Sequence, residues 1–252
     1  MKYKKPVLFV LASLLSISFA FSQYTEVINS NRPGVSQGAF SVGKNVLQFE
    51  AGPYMVKEEH SLLKNEVSGI GADFAVRYGF LFEELEVNIE GALQSDTFTD
   101  NRSTIPFEDD RTNFKRLTLG AKYLVYDPYK NAEEEKPHLY NYHANRKFKW
   151  KNLIPAVAVY AGINYDTKDN PYVAPGIEGI SPRVMIATQN NFAGGWVLVM
   201  NLAKDRIGTD YSDFQYVVTL TKSVGQQWAV FGESQGIKSD FYADNIFRVG
   251  GA

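Results

Sequence analysis

Beyond residue 22 the chain has no run approaching the roughly 18 apolar residues that a membrane-spanning helix needs. Its apolar residues recur instead at every second position, in segments of about ten residues. Leu47, Phe49 and Ala51 oppose Gln48, Glu50 and Gly52; Ala72, Phe74, Val76 and Tyr78 oppose Asp73, Ala75 and Arg77. Leu85, Val87 and Ile89 oppose Glu86, Asn88 and Glu90, and Leu117, Leu119, Ala121, Tyr123 and Val125 oppose Thr118, Gly120 and Lys122. Further segments are Ala156 to Ile163, Pro182 to Thr188 (Val184 and Ile186 opposite Arg183), Trp196 to Leu202, Phe214 to Thr221, Trp228 to Glu233 and Ile246 to Ala252. In Trp196 to Leu202 both faces are apolar, and no outward face is assigned. A period of two over this length suits tilted strands. It suits the strands of a soluble β-sandwich as well.

The N-terminus carries an export signal. Lys2, Lys4 and Lys5 precede an apolar run from Val7 to Phe19, and small residues follow. This predicts a signal peptide over 1–22, cleaved after Ser22 or, alternatively, after Ala20. Its loss takes the formal charge from −2 to about −5, a mildly acidic balance that argues against a nucleic-acid partner. The chain has no cysteine, so a disulfide-stapled scaffold is excluded. With backbone groups obliged to pair inside lipid, an exported chain without spanning helices crosses a membrane only as a closed barrel.

Connection lengths favour that barrel. Phe82-Glu83-Glu84, Asn190 to Gly195 and Gly225-Gln226-Gln227 read as short turns, whereas 56–70, 95–115, 166–180, 204–213 and 234–244 read as longer polar loops. Trp196 and Trp228 each follow a short turn, where interface aromatics are expected. The polar stretch 127–152, with Glu133 to Glu135 and the run Lys147-Phe148-Lys149-Trp150-Lys151, breaks the pattern. The expectation is an all-β, antiparallel, up-and-down transmembrane barrel over 46–252, about ten strands visible, preceded by an N-terminal periplasmic segment over 23–45.

Several motifs occur in order. They are Asn31-Arg32-Pro33-Gly34, then Leu47-Gln48-Phe49-Glu50-Ala51-Gly52, then Val76-Arg77-Tyr78-Gly79-Phe80 with Leu85-Glu86-Val87-Asn88. Leu117-Thr118-Leu119-Gly120-Ala121-Lys122-Tyr123 and Phe247-Arg248-Val249-Gly250-Gly251-Ala252 follow. Together they resemble the phenol-degradation (MetA-pathway) family of outer-membrane transporters. The resemblance implies a barrel that passes a small aromatic or hydrophobic solute across the outer membrane. It also implies that the last motif belongs to a penultimate hairpin, so the complete protein is expected to have twelve strands. The expected partners are outer-membrane lipid, the solute and the barrel-assembly machinery.

If the apolar set faces lipid, the polar set faces the bore. The candidates for the solute path are Gln48, Glu50, Asp73, Arg77, Glu86, Asn88, Glu90, Lys122, Arg183 and Arg248. Charges of both signs in a narrow bore must pair or stay wet, and Arg77 with Glu86 flank one short turn as a cross-strand pair. A filler of buried ion pairs is the competing reading.

Catalysis is not expected. His60 beside Ser61 has no surrounding motif, and a catalytic pair needs a third group in space. His138 and His143 are five apart in a polar stretch, unlike a helical zinc pair. Asp100, Glu108, Asp109 and Asp110 lack calcium-loop spacing and read as solvated loop residues. No cofactor and no metal are expected.

Overall fold

The computed structural model describes residues 30, 31, 34–130, 153–192, 194–225 and 228–251. Ten strands follow one another: β1 (Leu47–His60), β2 (Asn65–Gly79), β3 (Leu85–Asp100), β4 (Phe107–Tyr126), β5 (Ala156–Asp166), β6 (Gly179–Phe192), β7 (Trp196–Asp205), β8 (Asp213–Val224), β9 (Trp228–Lys238) and β10 (Ala243–Gly251). Each pairs antiparallel with the next in a single ten-stranded sheet of order β1 to β10. The sheet curls as an up-and-down half-barrel, not as two stacked sheets. The two ends of the order, β1 and β10, are not paired with each other among the described residues. The described residues contain no α-helix.

Alternation survives at atomic level. Buried Glu50, Arg77, Glu86 and Lys122 point into the curl, while Phe49, Ile70 and Phe247 are 71%, 65% and 78% exposed on its outside. The ambiguous strand β7 resolves through its second half. Asn201, Ala203 and Asp205 are buried, which turns Met200 and Leu202 outward.

The strands run longer than expected, so several expected loops are mostly ladder. Residues 56–70 contain the end of β1 and the start of β2, paired from Val56↔Gly69 to His60↔Asn65. Likewise 95–115 contains the β3–β4 pairing from Ser95↔Thr112 to Asp100↔Phe107. The connections left are 61–64, 101–106, 167–178, 206–212 and 239–242 at one end. Apart from Val56, Val67, Phe98 and Phe107 these extensions are polar on both faces, so no sustained apolar period marks them, yet backbone pairing needs none. Hydroxyls and carboxylates pair across them: Thr97 donates to Asp110 at 2.7 Å, and Ser95 meets Thr112 at 2.7 Å. The acidic residues expected to lie free in a loop are therefore strand residues, and Asp100 holds Arg102.

At the opposite end the connections are 80–84, 127–155, 193–195 and 225–227. Gly194 and Gly195 take the left-handed φ of 80° and 74° that a turn this tight demands. Residues 131–152, with Glu133 to Glu135, His138, His143 and the basic-aromatic run, lie outside the described residues, as do the expected signal peptide over 1–22 and Arg32-Pro33.

Candidate functional site

The segment expected to precede the barrel domain lies, in its described part, inside the curl. Residues 34–42 run along the concave face and exchange hydrogen bonds with strands from β2 round to β9. The amides of Val35 and Ser36 donate to Glu233 at 3.0 and 3.3 Å. Asn201 of β7 accepts from the Gln37 amide at 2.7 Å and donates to its carbonyl at 2.8 Å. The Gln37 side chain donates to Glu90 of β3, and the Val42 amide donates to Glu86 at 3.2 Å. Ala39 donates to Gln189 of β6 at 3.2 Å. One extended segment reaches partners this far apart along the strand order only if the sheet wraps it.

Small residues make room for it. Ala39 packs in a core with Ala156, Ala158, Ala187 and Ala203, together with Leu124, Tyr160 and Met185, and Phe40 and Tyr129 cover it. Larger side chains at those wall positions would overfill the space that Ala39 occupies. Gly120 serves the same economy, because a Cβ there would collide with the Tyr160 ring lying across it.

The expected bore residues occupy the inside of the curl, and most join one network beneath this segment. The Arg77 guanidinium donates to Glu86 through Nε and Nη2, both at 2.8 Å, and to Glu50 at 3.1 Å. Glu50 also accepts from Gln48 at 2.8 Å and from the Asn31 amide at 3.2 Å. Lys122 lies 3.5 Å from Glu86 and donates to the carbonyls of Gly38 and Phe40 at 2.9 and 3.0 Å. Asn88 donates to Glu90 at 3.2 Å. The network satisfies buried charges with each other and with the backbone of the inner segment, as a low-dielectric interior requires.

Asp73, Arg183 and Arg248 line a cavity of about 850 Å³ towards the end with the longer loops. Arg183 pairs with Asp205 at 3.0 Å, and Arg248 with Glu233 at 3.1 Å. Arg206, at the start of the β7–β8 loop, faces Asp166 at 3.4 Å. Tyr172, in the loop after β5, also lines the cavity; burial, and then the nearby Asp96 carboxylate, push its phenol up to about 12. Val35 of the inner segment lines the cavity too, so the segment forms part of its floor.

Sequence reasoning missed the inner segment, Asn201, Glu233 and the cavity residues Lys115 and Arg116. The first carries no alternation. Lys115 ends the stretch read as loop and Arg116 falls between it and the strand read from Leu117, although two adjacent cations before an alternating strand are a visible irregularity. Trp196 and Trp228 are both exposed, at the starts of β7 and β9 beside the shorter turns, with the Lys222 ammonium 5.3 Å from the Trp196 ring. His60 closes β1, where its Nδ1 accepts from the Leu63 amide at 3.4 Å.

No curated protein matches the chain. A family model described as "Putative MetA-pathway of phenol degradation" matches residues 30–252, from the inner segment through the last strand. The chain belongs to that family.

Proposed function

We propose that this chain is an outer-membrane barrel that binds a small, aromatic or hydrophobic solute in the cavity at its longer-loop end and passes it inward past the N-terminal segment. The observation that carries the reading is the inversion of polarity. Large apolar side chains cover the outside of the curl, while fully buried Arg77, Glu86 and Lys122 fill the inside. A chain surrounded by water buries its apolar set; a barrel in lipid does the reverse. The family and the curled all-β sheet are compatible with that location. Trp196 and Trp228 then sit as interface aromatics on the shorter-turn side. Lipid and the barrel-assembly machinery are the partners this reading requires, and binding and passage, not catalysis, are the role.

The inner segment crosses the path from the cavity to the shorter-turn end, so passage requires it to move. The chain has no native cysteine, which allows a clean tether. A Gln37→Cys/Asn201→Cys pair joins groups whose backbone and side chain already meet. In liposomes, the reduced protein should take up small phenolic solutes and the oxidised protein should not. Equal uptake in both states would refute movement of the segment. No uptake in either, with the wild type also inactive, would refute transport.

A further inference from the structure

We infer that Lys115 and Arg116 form an anion-binding subsite in the cavity, which selects a small organic carboxylate with an apolar body. The inference rests on the reading of the cavity as a solute site. Its first support is a break in the ladder. Along β3 and β4, Ala92 faces Arg116 but Leu93 faces Phe114, so Lys115 is an extra residue in β4. A bulge sets two neighbouring side chains on the same side of a strand, and such irregularities re-aim side chains at functional sites. Here both cations line the cavity, against the alternation that governs the rest of the strand.

The second support is the partnering. Arg183, Arg206 and Arg248 on the same wall each meet a carboxylate. Arg116 meets none among the described residues, and its Nε is buried without a hydrogen-bond partner. Lys115, an exposed side chain, reaches among the described residues only the neutral Gln94 side chain, at 3.4 Å. Arg116 is half-buried, and a guanidinium Nε shut off from water without an acceptor is costly unless an anion completes it. Its planar fork matches a carboxylate better than it matches a spherical ion.

The third support is what lies beside the charge. Arg116 borders a small recess in which Val35, Met185, Ala203 and Val217 stand among the polar side chains of Gln37, Glu90, Asn201 and Gln215. A carboxylate on the two cations would rest its body against Val35 and Val217, which also line the main cavity. Because Val35 belongs to the inner segment, an occupant here would touch the element that closes the path.

The test uses the full chain in micelles, with benzoate, its uncharged relative benzamide and the bodiless acetate as probes, followed by calorimetry. Benzoate should bind the wild type, with benzamide and acetate each weaker. R116Q should weaken benzoate by about tenfold or more, since a charge-assisted pair is lost, and leave benzamide unchanged. R116K should recover part of the affinity. The thermal midpoint of R116Q should stay level or rise, as expected for removing an unpaired cation. Equal binding of benzoate and benzamide, or no effect of R116Q on benzoate, would overturn the anion subsite and leave the cavity reading standing. Absence of binding by any probe, together with absence of phenol uptake, would overturn both.

Discussion

Replacing Arg77 by Met tests whether the interior network holds the fold together. The substitution keeps an aliphatic stem of similar length and deletes a fully buried cation that donates to Glu86 twice and to Glu50 once. Neither carboxylate is orphaned completely. Glu86 retains Lys122 at 3.5 Å and the Val42 amide at 3.2 Å, and Glu50 retains the Asn31 amide at 3.2 Å. Breaking a buried pair by removing one partner costs about 3–5 kcal/mol; the remaining partners place this case at the low end, about 3 kcal/mol. Urea unfolding in lipid vesicles, followed by tryptophan fluorescence, reads the loss as a lowered midpoint with unchanged slope. The double variant Arg77→Met/Glu86→Gln should lose less than the sum of the single losses, because the second change removes the charge that the first stranded. A loss below about 1 kcal/mol, or additivity within about 0.5 kcal/mol, would show that the network is wet and contributes little.

The inner segment should be held by side chains remote in sequence: Asn201→Ala, which removes two backbone partners of Gln37, should speed proteolysis and amide exchange across 35–40 at a cost of about 1–3 kcal/mol. Gly79→Ala should be refractory to folding, because its Cβ would strike the Gly43 carbonyl, a backbone group that cannot rotate away; loss of about 2 kcal/mol or more is expected on unfolding. The turn pair Glu84–Lys130 has a pH signature. A hydrogen bond from Lys130 holds the Glu84 carboxyl below its usual 4.5, so its stabilisation is present above that value and disappears as pH falls through the lowered one. Lys130→Ala should accordingly lower the unfolding midpoint slightly at pH 7 and not at all once Glu84 is protonated. Exposure of the pair keeps the effect small.

Much of the sheet was legible because alternation reports two environments at once. Leu47 against Glu50, or Leu119 against Lys122, assigns the face of each strand from the sequence alone. The ambiguity at Trp196 to Leu202 came from stopping three residues short of Asp205; with Asn201 and Asp205 counted together, the inward face follows. Loop lengths misled, because Lys57 to His60 are polar on both faces and Thr97 to Asp100 carry a single apolar residue, Phe98, so no alternation marks ladders that the backbone still forms. Alternation puts the connected bore residues on one face one by one, but it does not reveal the segment they share as a partner. Residues 34–42 have no period, since a segment enclosed by a curled sheet meets wall on all sides. Nor does a single sequence reveal a bulge, which depends on the register between Ala92 and Arg116.

Single cysteines on the outer face test the central claim most directly, since the natural chain has none. Ile89, Leu119, Ile186 and Leu220, each on the outside of a different strand, would be replaced in turn and the protein labelled in isolated outer membranes. All four should resist a water-soluble maleimide and react with a bilayer-dissolved one, because their environment is hydrocarbon. Recovery of the chain in the soluble fraction, with all four positions reacting freely with the water-soluble reagent, would contradict the barrel in lipid and the function built on it.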